Sequence, residues 1–414
     1  MMNFVRRCSI RHWIILAVAN FLLVASFGLL MRLKAIVPMA WANQKNLMHA
    51  HSHFAFSGWV SHTLMVFIIM AVLGLRAKDV FPRRYQWIIG ANLLASFGML
   101  ISFTMQGYGV YSIILSTITL IVSYVFAGCC WRDLSRSALP KVLQYWFKAA
   151  LIFSVLSSLG TFSLVYLMAS HQLEPLKQLA SVYFYLHFQY NGWFFFACMG
   201  LLHYWLYHKT MVVPCGKGIF WLFASCIVPA YFLSVLWWKA FPQWLYVVVV
   251  VTVLLQFSVW IIYITKILRF FKQHISLSLH PYVKILWSGV MLAVFLKLML
   301  QSVSVIPSLS QLVYGYRPIV VAYLHLVLLV IISLFLLGLA FQMQVLLLGK
   351  WTQRCLVGLV VGVLLNELIL AIQGIGGLTR VYIPATNQSL VVAAVIMVLS
   401  LFGILWTQRA GKSS

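Results

Sequence analysis

The sequence predicts an all-α, polytopic membrane protein whose helices form one bundle. Of the 414 residues, 64% are hydrophobic and only 8% are charged, whereas a soluble protein of this length has about a quarter of its residues charged. Apolar runs of about 20 residues, enough to cross about 30 Å of hydrocarbon, recur along the entire chain. Because lipid offers backbone amides no partner, each such run must be a helix.

We predict about twelve spans, with no linker or soluble domain between them, so residues 1–414 form a single integral membrane domain. The first apolar run is too long for an ordinary signal peptide and lacks a small-residue cleavage site. We therefore expect it to be retained as the first helix. The predicted spans are 12–31, 51–75, 86–105, 110–131, 145–168, 182–207, 219–237, 244–265, 285–305, 318–341, 355–374 and 388–406.

Charge and cysteine usage exclude two classes of function. The net charge of +25 suits a nucleic-acid partner, but the lysines and arginines concentrate in alternate loops. This distribution follows the positive-inside rule and places both termini in the cytoplasm. We therefore expect membrane lipid, not nucleic acid, as the partner, and the bacterial cytoplasmic (inner) membrane as the location. None of the seven cysteines forms a C-x-x-C pair, so neither a disulfide framework nor a zinc site is indicated.

Histidines near the predicted outer ends of three helices form the strongest pattern in the sequence. The stretch "LMHAHSHFAFSGW" places His49, His51 and His53 at the start of the second helix. His187 lies about five residues into the sixth helix and His325 about seven into the tenth, roughly 7 and 10 Å below the outer boundary. A lone histidine at a helix end is commonly a satisfied interfacial residue. A common depth on three helices instead indicates a ligand site or a pathway.

Two kinds of ligand can gather imidazoles at one level. A haem iron takes two axial nitrogens from neutral histidines on opposite sides. His49 and His53, four residues apart, share a helix face, so one of them can oppose His325, while His51 points elsewhere. A copper or zinc ion needs three or four converging nitrogens, for which His53, His187 and His325 are candidates without a decisive spacing.

Three further polar residues are candidates for a supporting role. Asn191 lies four residues after His187 and is expected to orient that ring. Lys297 and Glu367 each lie about twelve positions past the start of the ninth and eleventh helices. They can form a buried ion pair. Alternatively Glu367 moves protons, or Lys297 contacts a haem propionate or extends toward the membrane surface.

Twelve helices with histidines on the second, sixth and tenth resemble the catalytic subunit of the haem–copper oxidase superfamily. That superfamily includes the nitric oxide reductase branch and the related NnrS family. The motif "HAHSHFAFSGW" is similar to the start of the haem-binding helices, and "LHFQYNG" is similar to the copper-ligand helix of the reductase branch. The resemblance covers the helix plan of nearly the whole chain. It implies a low-spin haem b between a second-helix histidine and His325, with His187 at a copper-ligand position.

The chain departs from the family pattern at three places. The family's adjacent histidine pair is missing from the seventh helix, and Tyr323 occupies the first of two histidine positions on the tenth. Asn191 replaces the carboxylate found in the reductase branch. Two copper ligands and the high-spin haem ligand are therefore lacking. We expect no copper, and no reduction of oxygen or nitric oxide at a binuclear centre.

The resemblance favours a haem b electron-transfer protein, and any enzymatic role would be that of an oxidoreductase in respiration. The expected electron partner is quinol or another membrane redox protein. One alternative is a haem or metal protein of the nitric oxide stress response, similar to the NnrS family. A second is a proton-coupled transporter with the histidines, Lys297 and Glu367 along its path, although no pair of Gly/Pro-broken helices marks corresponding halves.

Overall fold

The computed structural model describes residues 8–171, 174–238, 241–274, 279–313, 316–379, 381 and 383–410. Within these ranges the protein is all-helical, and the single β-type contact is an isolated bridge between Ser9 and Val80. Eleven helices in the described chain are long and apolar enough to cross a membrane. The predicted fold class, a polytopic helical membrane protein, is confirmed at this level.

Each of these eleven helices contains or overlaps one of the predicted apolar runs. Their lengths run from 19 to 31 residues, and the sixth helix in chain order is treated separately below. The eleven are α1 Ile10–Lys34, α2 Gln44–Leu73, α3 Arg83–Gln106, α4 Val110–Arg136, α5 Lys141–Ala169, α7 Lys217–Val235, α8 Gln243–Gln273, α9 Pro281–Val303, α10 Pro318–Gln342, α11 Lys350–Thr379 and α12 Thr386–Arg409.

The sixth helix, α6, is more polar than the rest. It covers residues 175–210 without a break, through the consecutive segments Pro175–His187, Phe188–Phe194 and Phe195–Thr210. Polar side chains interrupt its apolar sequence, so it is not among the eleven helices that composition alone marks as spans. The sixth predicted run is therefore a helix of spanning length with an unusually polar centre.

Proline and asparagine mark where helices begin. Proline has no N–H to satisfy and its fixed φ suits the first helical turn. At the start of α2, Asn43 caps the helix, and its Oδ1 accepts from the backbone N–H groups of Lys45 and Asn46 at 2.9 and 3.2 Å. The prolines at or just before helix starts include Pro82, Pro140, Pro175, Pro242, Pro281 and Pro318.

The described chain divides into two compact units. The first comprises Met1–Cys130, Pro281–Leu286 and Leu336–Ser414. Within it, α12 packs against both α11 and α1, and α2 packs against α1 and α3. Polar side chains join α11 to the end of α12, since the Thr352 and Thr407 hydroxyls lie 2.9 Å apart. Short hydroxyl contacts of this kind are common between membrane helices.

The second unit comprises Trp131–His280 and Trp287–Phe335. Within it, α5 packs closely on α6, and α7 packs on α8. Gly160 of α5 allows the close approach, because a Cβ there would lie 2.6 Å from the backbone of Ser181 and of Tyr185 in α6. The hydroxyls of Ser163 and Ser181 meet at 2.9 Å beside this contact.

Three described helices widen from α to π geometry just after a histidine. In α6 the π segment Phe188–Phe194 directly follows His187, and in α10 the π segment Leu326–Ser333 directly follows His325. In α2 the π segment Ala55–Ser61 begins two residues after His53. π segments are rare and occur frequently at functional sites. The second, sixth and tenth helices, chosen from the sequence for their histidines, therefore share a backbone feature as well.

We predict that Gly160→Ala destabilises the protein by about 1–3 kcal/mol, because overpacking a close helix contact forces the backbones apart. The measurement is thermal unfolding of the purified protein in detergent. Gly289→Ala is the matched control, since a Cβ at Gly289 meets nothing within 4 Å. Equal unfolding temperatures for the two variants would contradict the packing described here.

Candidate functional site

The ring of His51 is held by the backbone of α1. Its Nδ1 lies 3.0 Å from the carbonyl oxygen of Val24, and the ring also lies beside Gly28, where a Cβ would make an ordinary contact of 3.5 Å with His51 Cε1. A carbonyl oxygen only accepts, so the proton is on Nδ1 and the neutral ring has its lone pair on Nε2. This tautomer is the one suited to binding iron through Nε2.

His49 and His53 lie on another face of α2, as their spacing predicts, and meet the end of α3. His53 stacks on Phe103 with 4.3 Å between ring centroids, and its Nε2 lies 3.1 Å from the Tyr108 hydroxyl. The His49 ring packs edge-on against the ring of the same tyrosine, with 4.6 Å between ring centroids. The Nε2 atom of His49 is buried without a hydrogen-bond partner. We call His49, His53, Phe103 and Tyr108 the outer histidine cluster.

Both ring nitrogens of His187 are hydrogen-bonded within the second unit. Its Nε2 donates to the carbonyl oxygen of Ile227 at 2.9 Å, and its Nδ1 accepts from the amide of Asn191 at 3.1 Å. The Ile227 carbonyl is accessible because α7 tightens to a 3₁₀ segment at Tyr231–Val235, just after Pro229. The backbone N–H of Tyr231 then turns to Val228 and Pro229 instead of Ile227.

These bonds define what His187 can do. Asn191 contacts His187 as the four-residue spacing predicts, and the tautomer is opposite to that of His51. With both nitrogens occupied, the ring does not fit a metal ligand unless one of the two bonds is broken. Among the described residues, no group of three or more His, Cys, Asp or Glu side chains could hold a metal ion. The ligand role of His187 therefore stays a prediction.

His325 has the same tautomer as His51. Its Nδ1 lies 2.8 Å from the carbonyl oxygen of Val321, one turn earlier in α10. The proton is therefore on Nδ1 and the lone pair of the neutral ring is on Nε2. Two residues before it, Tyr323 meets Tyr190 of α6 edge-on, with 6.1 Å between ring centroids. Tyr323 thus packs as an aromatic side chain beside the histidine that the sequence selected.

Lys297 is buried beside a small cavity in the second unit. Its Nζ donates to Gln301 Oε1 at 2.9 Å. The cavity is lined by Lys297, Asn191 and Gln256 together with mostly apolar side chains. Its volume is about 30 Å³, which is room for about two water molecules. A cavity of this size is too small for a porphyrin.

Glu367 has its own partners in the first unit. Its Oε1 accepts from the Asn366 amide at 3.1 Å, and the positive charge of Arg32 in α1 acts on it. Sequence reasoning paired Glu367 with Lys297 and did not anticipate Arg32, Asn366 or Gln301. The signal that could have found Arg32 is the scarcity of acidic residues, of which the chain has four. The Lys297–Glu367 pair itself stays a prediction.

Two buried asparagines hold the π segment of α2. The amide of Asn20 in α1 donates to the Gly58 carbonyl at 2.6 Å, and that of Asn92 in α3 donates to the Ser57 carbonyl at 3.1 Å. Both side chains are buried. Because the wider π turn shifts the helical hydrogen-bond pattern, side chains can satisfy carbonyls at such a segment. Sequence reasoning missed both residues.

A short internal repeat marks two of the π segments. Residues 53–59 read "HFAFSGW" and residues 187–193 read "HFQYNGW". The shared pattern is histidine, phenylalanine, a variable residue, an aromatic residue, serine or asparagine, then glycine and tryptophan. Aligning α2 with α6 would have shown that His53 and His187 occupy equivalent positions before equivalent π segments.

Two deeper histidines are structural by their contacts. His62 of α2 is fully buried, and its ring lies 5.9 Å from that of Trp13 in α1. His203 of α6 is fully buried, and its ring stacks at 5.4 Å on Trp146 in α5. In both cases the tryptophan comes from the preceding helix. The two histidines are not equivalent in the repeat, however, because His62 lies nine residues after His53 and His203 lies sixteen residues after His187.

Neither a family model nor a curated protein sequence matches the chain. The resemblance to the haem–copper oxidase superfamily therefore stays a prediction that rests on the quoted motifs and the helix plan.

We predict that Asn191→Leu destabilises the protein by about 1–3 kcal/mol, since it leaves a buried imidazole nitrogen without a donor. The test is a double-mutant cycle with His187→Leu, in which the stability of each variant is measured by thermal unfolding in detergent. The double variant should lose less stability than the sum of the two single variants, because removing the ring removes the unpaired nitrogen. Additive losses would show that the two side chains do not interact.

Proposed function

We propose that this protein is an integral membrane haem protein of oxidase-like fold, located in the bacterial cytoplasmic membrane. In this proposal imidazole nitrogens of this chain, with His51 and His325 as the candidates, would hold haem b, which would exchange electrons with quinol or another membrane redox protein. One observation supports it most directly. Each of these two rings donates its Nδ1 proton to a backbone carbonyl, on a helix that turns to π geometry within a few residues.

The carbonyl bonds suit both rings to this role. Iron binds the lone pair of a neutral imidazole, and a hydrogen bond from the opposite nitrogen fixes the tautomer and raises the basicity of the ligand. Val24 provides that acceptor for His51 and Val321 provides it for His325. His49 and His53 contact Tyr108 instead, so among the three histidines of α2 we assign the axial position to His51.

The proposal assigns electron transfer and no copper chemistry. A haem with two imidazole ligands has no open coordination position and supplies one-electron transfer. His187 would offer copper a nitrogen only by breaking its bond to Asn191 or to Ile227. The contacts of His187 therefore favour a structural role, in which its hydrogen bonds hold α6 against α7, over a second redox centre.

The absorption spectrum of the purified full-length protein tests the proposal, with haem supplied during expression. We expect about one haem b per chain in a pyridine haemochrome assay, and a low-spin spectrum typical of two imidazole ligands. His51→Ala and His325→Ala should each abolish that spectrum. His171→Ala, which alters an exposed histidine in the outer loop, is the matched control and should leave it unchanged.

Two results would count against the proposed ligands. If the wild-type protein shows no Soret band, haem binding is excluded. A normal low-spin spectrum in both alanine variants keeps haem but rejects His51 and His325 as its ligands.

A further inference from the structure

We infer that His49, His53 and Tyr108 of the outer histidine cluster form a binding site for a divalent transition-metal ion, with Cu²⁺ the preferred ion. All three residues belong to the first compact unit. The site is separate from His51, which lies on another face of α2 and donates to Val24. It therefore does not depend on whether the protein binds haem.

The backbone of α2 presents the two imidazoles to one side. Histidines four residues apart on a helix share a face, the arrangement used by helical zinc-binding motifs. Here the tyrosine hydroxyl approaches the same side, since it lies 3.1 Å from His53 Nε2. The Tyr108 ring is 4.6 Å from the His49 ring and 6.0 Å from the His53 ring. The two imidazoles and the tyrosine ring thus form one contiguous cluster beside α2.

His49 supplies an observation that points to a ligand. Its Nε2 is buried without a hydrogen-bond partner, although buried polar atoms are nearly always paired. A metal ion shared with His53 would satisfy this nitrogen. The neighbouring Phe103 stacks on His53 at 4.3 Å and fixes the orientation of that ring. The imidazoles are therefore positioned by packing before any ion arrives.

Tyr108 gives the site access to water. It lies in the short loop between α3 and α4, and 52% of the residue is exposed. Gly107 forms the turn with a φ of 65°, a conformation that glycine adopts without strain. An ion can thus enter from the aqueous side, and water can complete its coordination. When the tyrosine oxygen coordinates the ion, the phenolic proton passes to water.

The donor set selects the class of metal. Imidazole nitrogen suits zinc, copper and nickel, whereas calcium and magnesium require oxygen ligands. For a given set of nitrogen and oxygen donors, Cu²⁺ binds most strongly among the common divalent ions. Lys45, one turn before His49, acts electrostatically on that histidine. Its positive charge opposes a bound cation, so this lysine should lower the affinity of the site.

The test is a Cu²⁺ titration of the untagged, metal-stripped full-length protein in detergent. Calorimetry measures the affinity, and electron paramagnetic resonance identifies the ligand atoms. We expect a site of about one Cu²⁺ per chain with nitrogen ligands. His49→Ala and His53→Ala should each weaken binding at least about tenfold. Tyr108→Phe keeps the ring but removes the oxygen, so it should weaken binding and abolish any phenolate-to-copper absorption band.

Lys45→Gln provides a test that misfolding cannot imitate, because removing the repelling charge should tighten Cu²⁺ binding several-fold. His171→Ala, at an exposed histidine outside the cluster, serves as the control and should leave the Cu²⁺ affinity unchanged. The inference is overturned if the His49→Ala/His53→Ala double variant binds Cu²⁺ as tightly as the wild type. It is also overturned if the wild type binds no Cu²⁺, or if Lys45→Gln leaves the affinity unchanged.

Discussion

The hydrogen bond from an imidazole N–H to a backbone carbonyl is the interaction on which the site depends. Inside a membrane an unpaired polar group is costly, and the imidazoles of five histidines in the membrane helices have a carbonyl oxygen as partner: His51, His62, His187, His203 and His325. This bond decides which ring nitrogen carries the proton, and so which one can bind a ligand. His51 and His325 keep the lone pair on Nε2, whereas His187 donates from Nε2 and accepts at Nδ1. The rings that look equivalent in the sequence are chemically different in the structure.

Backbone geometry makes these bonds available. The 3₁₀ segment after Pro229 frees the Ile227 carbonyl for His187, and the π segment of α2 takes side-chain donors from Asn20 and Asn92. The matching motifs at residues 53–59 and 187–193 place π segments at corresponding points of α2 and α6. A local departure from α geometry thus recurs wherever the chain presents a histidine near the predicted outer end of a helix.

Composition and the length of apolar runs predicted the fold class and the positions of the helices, because hydrocarbon thickness fixes how long a span must be. Helical spacing also predicted that His49 and His53 share a face and that Asn191 reaches His187. Partners from distant parts of the chain were not predictable: Val24, Ile227, Tyr108, Gln301 and Arg32 carry no local signal that links them to a histidine, Lys297 or Glu367. The polar centre of α6 shows the other limit, since composition alone does not mark it as a span.

The proposed haem would be held by imidazole nitrogens of this chain, with His51 of α2 and His325 of α10 as the candidates. Electron paramagnetic resonance of the oxidised, haem-loaded wild-type protein tests it most directly, because the signal reports the spin state and the axial ligands together. We expect a low-spin ferric signal of the bis-imidazole type. A purely high-spin signal, or no ferric haem signal at all, would contradict it.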